Sequence, residues 1–136
     1  MTTYLLDTNA WITSLRQPSA ALAVKLHSTI PDDIQLCSVV LGELLYGVYR
    51  SPPTHRSKNL ALVADLQGRF LSVPFDDRAA DEFGKIKADL TAKGTLIGPN
   101  DILIAAIALA NGLTLVTHNT AEFSRVIGLT LDDWQV

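Results

Sequence analysis

Apolar residues in this chain fall into short runs separated by longer stretches of helical periodicity. Tyr4 to Asp7 reads as a strand, with Thr8 or Asn9 capping a helix through Leu15. Pro18 and Ser19 restart a helix, on which Leu22, Leu26 and Ile30 recur at four-residue spacing. Pro31-Asp32-Asp33 is a turn, Ile34 to Ser38 a second strand, and Val39 to Tyr49 the helix that follows it directly. Ser51-Pro52-Pro53 breaks the chain before a helix from Thr54 to about Arg69, and Leu71 to Pro74 is the third strand. Asp76 or Asp77 caps a long helix with Phe83, Ile86 and Leu90 on its inner stripe, closing near Gly94. Pro99 starts the most apolar helix, which stops at Asn111-Gly112. Thr114 to Thr117 is strand four, followed by a short helix from about Glu122 to Val126 and a last strand at Thr130-Leu131.

Strands alternating with helices predict an α/β fold: a mainly parallel sheet joined by right-handed crossovers and covered on both faces. The chain has 136 residues, no internal repeat and no linker long enough to divide it, so residues 1–136 are expected to form a single domain. Hydrophobic residues make up 48% and charged residues 18%, with a mean hydropathy of +0.23, apolar enough to expect a homo-oligomer or a tight partner. The net charge of −3 offers nucleic acid no long-range attraction, so an RNA or DNA substrate would need local basic residues or a bound cation. Cys37 is the sole cysteine, which excludes an internal disulfide and suits a reducing compartment. No signal peptide is evident, and the apolar run Ile102 to Ala110 is about half of the roughly 20 residues a membrane span needs. The expectation is a cytoplasmic protein with no membrane partner.

Against that apolar background three carboxylates stand out. Asp7, Glu43 and Asp101 are each the only charge in a stretch that otherwise reads as core. Carboxylates are rarely buried unless paired or bound to metal. Asp7 ends strand one, Glu43 lies early in the helix after strand two, and Asp101 opens the helix before strand four. A parallel sheet gathers such positions at the carboxyl edge of its strands. An all-oxygen site selects Mg²⁺ or Mn²⁺ over zinc. Thr8, Asn9, Thr117 and Asn119 are short polar groups suited to orienting ligands, and Glu122 follows the last core strand. Simpler readings exist: Asp7 as a helix cap, Asp101 as a partner of the helix dipole, Glu122 as a solvated residue. Glu43 has no such reading, since Val39, Val40, Leu44 and Leu45 leave it little polar company.

Four segments, Leu5-Leu6-Asp7-Thr8-Asn9, Val40 to Gly47, Ile97 to Ala106 and Leu115 to Phe123, together resemble the PIN-domain ribonucleases, specifically the VapC toxins of bacterial toxin–antitoxin pairs. The resemblance spans essentially the whole chain. It implies a PIN-like three-layer fold with a four- to five-stranded sheet, and a Mg²⁺- or Mn²⁺-dependent endoribonuclease with Asp7, Glu43 and Asp101 as its acids. Where many PIN domains carry a fourth acid, this chain has Thr117-His118-Asn119, which argues for one firmly held metal; Glu122 is the nearest acidic substitute. His118 stands where relatives often have Asn. The resemblance also implies a homodimer, a VapB antitoxin lying across the active-site groove, and operator DNA bound only through the toxin–antitoxin complex. The implied substrate is a structured RNA such as tRNA, with the initiator tRNA anticodon loop as the enteric precedent.

Arg50, His55, Arg56 and Lys58, clustered around the Pro52-Pro53 break, are the local candidates for RNA phosphates. Trp11 is expected to pack against neighbouring helices and not to stack a base. Two readings from other classes compete with hydrolysis: a non-catalytic acidic pocket for a basic protein partner, and a phospho-accepting domain with Asp7 as nucleophile. The second lacks the late-strand lysine and paired early acids it requires.

Overall fold

A computed structural model describes residues 2–17 and 19–136. The strands are β1 (Tyr4–Leu6), β2 (Ile34–Cys37), β3 (Leu71–Val73), β4 (Thr114–Val116) and β5 (Leu131–Asp132). The helices are α1 (Thr8–Arg16), α2 (Ala20–Ser28), α3 (Ser38–Tyr49), α4 (Pro53–Arg69), α5 (Asp77–Lys93), α6 (Pro99–Ala110) and α7 (Thr120–Phe123). All strand pairs are parallel, in the order β3-β2-β1-β4-β5. The first strand in sequence is therefore the centre of the sheet.

Successive strand residues point to opposite faces. Leu5 and Leu6 are both fully buried, as are Leu36 and Cys37, so helices cover the sheet on both sides. The α6 run Ile104-Ala105-Ala106-Ile107-Ala108 is buried all round, which is why its sequence shows no polar stripe. Trp11 packs on Phe70 with ring centroids 5.2 Å apart, and Tyr4 meets Trp134 edge-on at 5.0 Å. Trp11 is thus a core residue.

Most predicted elements stand within a residue or two of their place, and the differences have local causes. Asp7, not Thr8 or Asn9, is the N-cap of α1, because its backbone is extended and its carboxylate accepts from Ala10 N at 2.8 Å. Ser19 caps α2; Pro18, also assigned to that restart, lies outside the described residues. Ile30 does not continue the Leu22–Leu26 stripe: α2 ends at Ser28, and Ile30 is 56% exposed. Pro31–Asp33 winds into a 3₁₀ turn. The last helix covers Thr120–Phe123, not Glu122–Val126. No side chain caps its start, so the sequence carried no mark of where it begins. Gly94, at φ 65°, closes α5 in the left-handed conformation that suits glycine.

Candidate metal centre and groove

The parallel register brings the ends of β1, β2 and β4 to one edge of the sheet. A groove of about 720 Å³ opens there, and Asp7, Glu43 and Asp101 all line it. The three isolated carboxylates therefore do share one pocket.

Each acid is held differently. Asp7 is only 5% exposed; its Oδ1 takes the amide of Ala10 and its Oδ2 the hydroxyl of Thr117 at 2.6 Å. Burial raises its pKa, partly offset by those two hydrogen bonds, with the charges of Glu43 and Asp133 adding to the rise. Glu43 accepts from Thr8 Oγ1 at 2.5 Å through Oε1 and from Asn100 Nδ2 at 3.3 Å through Oε2. Its polar company, which its own helix does not supply, comes from residues 35 and 57 positions away in the chain. Asp101 has no hydrogen-bond partner among the described residues. Burial, then the charges of Asp7, Glu43 and Glu122, push its pKa up to about 6.

That rise reflects burial first and the three neighbouring negative charges second. The donors are hard oxygens, so the residues fit a divalent cation of the Mg²⁺ class better than a nitrogen- or sulfur-loving metal. No three His, Cys, Asp or Glu side chains among the described residues are already converged at ligating range. The acids are near enough to perturb one another. Gly98 leaves the Asp101 carboxylate unobstructed: a Cβ there would stand 3.3 Å from its Oδ2.

The remaining predicted groups divide. Thr8 and Thr117 hold the groove carboxylates Glu43 and Asp7, and Asn9 lines the groove with an exposed side chain. Asn119 instead donates to Glu122 at 2.9 Å, while its amide fixes Thr117 Oγ1. His118 is exposed and bonded to Asp133 at 2.9 Å, outside the groove lining. Of the basic cluster, Arg50 lines the groove. His55 and Lys58 do not, and Arg56 is a structural residue that donates to the carbonyls of Tyr49 and Ser51 at the end of α3.

Sequence reasoning passed over Arg16, Asn59 and Asp133. Arg16 was discoverable, because Asn9, Ile12 and Arg16 follow the i, i+3, i+7 spacing of one helix face, and all three line the groove. Asp133 was not, since only the pairing of β5 with β4 carries it toward Thr117 and Asp7.

A family profile described as "PIN domain" matches residues 4–129. The ribonuclease VapC2 of Haemophilus influenzae is 35% identical over 134 residues, covering 98% of this chain and 99% of that protein. The tRNA(fMet)-specific endonuclease VapC of Shigella flexneri is 36% identical over 134 residues, with the same coverage. Among solved structures, the DNA-bound VapBC of Salmonella typhimurium superposes with a TM-score of 0.90 at 34% identity, covering 98% of this chain and 99% of that one.

Proposed function

Because this chain belongs to the PIN-domain family and, within it, to the VapC ribonucleases, we propose that Asp7, Glu43 and Asp101 form its catalytic centre and hold Mg²⁺, with Mn²⁺ able to substitute. PIN-domain ribonucleases depend on a divalent metal; which one acts here is part of the proposal. The substrate is tRNA, with the anticodon loop of initiator tRNA favoured by the likeness to tRNA(fMet)-specific relatives, and its cleavage stops translation. The observation that carries this reading is the groove itself, which joins two hydrogen-bonded carboxylates, Asp7 and Glu43, with Asp101, whose pKa burial and neighbouring charge push up to about 6.

When bound, the cation supplies Lewis acidity toward the phosphodiester and makes water a competent nucleophile near neutral pH. The protein's own part is positioning. Asp7, clamped between Ala10 N and Thr117 Oγ1, presents its remaining lone pairs to the groove. Asp101, in the first turn of α6 and without a hydrogen-bond partner among the described residues, would supply a further carboxylate ligand to the cation. Glu43, fixed by Thr8 and Asn100, orients the attacking water. His118 is assigned no part in the chemistry.

The likeness to the DNA-bound VapBC of Salmonella typhimurium supports a VapB-type antitoxin laid across the groove, with operator DNA reached only through that complex. A homodimer is part of the same reading, and the exposed Tyr49, outside the groove lining, suits its contact. The whole chain works as one catalytic domain in the cytoplasm, where its tRNA is; no helix among the described residues is long and apolar enough to cross a membrane. A merely acidic binding pocket is the weaker reading, because the family is one of ribonucleases.

The test is cleavage of an initiator tRNA transcript by purified protein with Mg²⁺, with Mn²⁺ and with EDTA. Wild type should cut only with the cation, and Asp7→Asn and Asp101→Asn should lose at least a hundredfold in rate. Cleavage that survives EDTA, or either substitution, overturns the assignment.

A further inference from the structure

We infer that Arg16 and Arg50 are a two-armed clamp for an RNA phosphate, setting the register in which the strand enters the acidic centre. The inference rests on the RNA reading above and names how the substrate is held. The chain has six arginines. Four are committed within the fold: Arg56 and Arg125 to backbone carbonyls, Arg69 to Asp65, and Arg78 to Asp76 and Asn111. Among the described residues the guanidinium groups of Arg16 and Arg50 make no hydrogen bond or ion pair, and these are the two arginines that line the groove.

Their placement is regular. Arg16 stands seven residues beyond Asn9 on α1, and Arg50 seven beyond Glu43, just past the end of α3. Both helices start at the carboxyl edge of the sheet, α1 after β1 and α3 after β2. Seven residues of helix rise about 10.5 Å. A stacked strand at roughly 3.4 Å per nucleotide covers that in about three steps. The arginines thus meet a phosphate a few nucleotides from the one over the acids. Arg50 is partly ordered for the task, its guanidinium lying 5.4 Å over the Tyr46 ring. The wall between the two ends mixes apolar Ile12, Leu15 and Leu62 with the polar groups of Tyr46 and Asn59. The arrangement also answers the net charge of −3: the protein needs no general attraction to RNA if two uncommitted guanidinium groups stand at the site.

Arg16→Gln, Arg50→Gln and the double variant, with Lys93→Gln as a control on a remote salt bridge, test the clamp on an initiator tRNA transcript across a KCl series. Each single substitution should raise KM about tenfold and leave kcat within about twofold, as expected for a lost charge-assisted contact away from the reacting atoms. The dependence of log KM on log[KCl] should flatten by about 0.7 to 1 per arginine. Arg16→Lys and Arg50→Lys should recover part of the loss and serve in place of any glutamine variant that melts early. Unchanged KM and salt slope in the double variant, with wild type still cutting, overturn the clamp and leave the catalytic centre standing. So does loss of antitoxin affinity alone. A wild type that cuts no RNA removes both.

Discussion

The hydroxyl of Thr117 ties the two ends of the chain together at one atom. It donates to Asp7 Oδ2 across 110 residues of sequence, and it is itself oriented by the Asn119 amide. A valine in its place keeps the shape and removes the donor. Thr117→Val should therefore weaken metal binding by about 10- to 100-fold, the usual cost of losing a group that orients a ligand. Folding stability should fall only by about 1–3 kcal/mol, because Asn119 N loses its acceptor. Isothermal titration with Mn²⁺ beside a thermal melt separates the two effects; a variant that binds metal like wild type would show that Asp7 needs no such support. At this scale the sequence was readable wherever polarity clashed with its surroundings. Asp7, Glu43 and Asp101 each broke an apolar run, and all three line the groove. Their partners broke no pattern, since Thr8, Asn100 and Thr117 are ordinary polar residues until the fold places them.

Helix α3 shows how an element serves both the core and the site. Val40, Leu44 and Val48 are buried, the last two also bordering the groove that Glu43, Tyr46, Gly47 and Arg50 line. Gly42 also lines it, and a Cβ at Gly42 or Gly47 would meet nothing within 4 Å. Glycine inside a helix costs about 0.8–1.0 kcal/mol relative to alanine. Neither packing nor backbone geometry accounts for these two, so the open groove does. Gly42→Ala and Gly47→Ala should each stabilise the protein by roughly 0.5–1 kcal/mol, whereas Gly47→Leu should keep the fold and lower tRNA cleavage more than tenfold by filling the groove. Denaturant melts and cleavage rates measured on the same preparations check this. Element boundaries followed their punctuation: Pro53, Pro99 and Gly94 mark real helix ends. Where punctuation is missing, as at α7, the reading slipped by two residues.

For the molecule as a whole, the fold places a cost at its own centre by gathering acids at one edge of the sheet. Asp101 titrates near 6 when folded, against an ordinary 3.8, and Asp7 is also raised. An acid whose folded pKa is raised holds its proton more tightly in the native state, so its contribution to stability falls as pH rises from about 3.8 to about 6 and stays low above that. In EDTA, Asp101→Asn should therefore melt at a higher temperature than wild type at pH 7.5, with the gap closing toward pH 4.5. Added Mg²⁺ should raise the melting temperature of wild type only. Melts of both proteins across that range decide it; a gap that does not depend on pH would mean that Asp101 ionises without strain. The parallel α/β architecture was legible in the alternation of strands and helices. The strand order was not, because nothing local in Tyr4-Leu5-Leu6 says that it lies between β2 and β4.

That order has a consequence for the chain as it is made. The ribosome delivers the central strand first, and β1 cannot acquire its second neighbour until Thr114–Val116 has emerged. Asp7 then waits for Thr117, whose amide is fixed in turn by the carbonyl of Asp132. A centre assembled in this sequence cannot form before β4 and β5 exist, because until then Asp7 lacks both its second sheet neighbour and the hydroxyl that holds it.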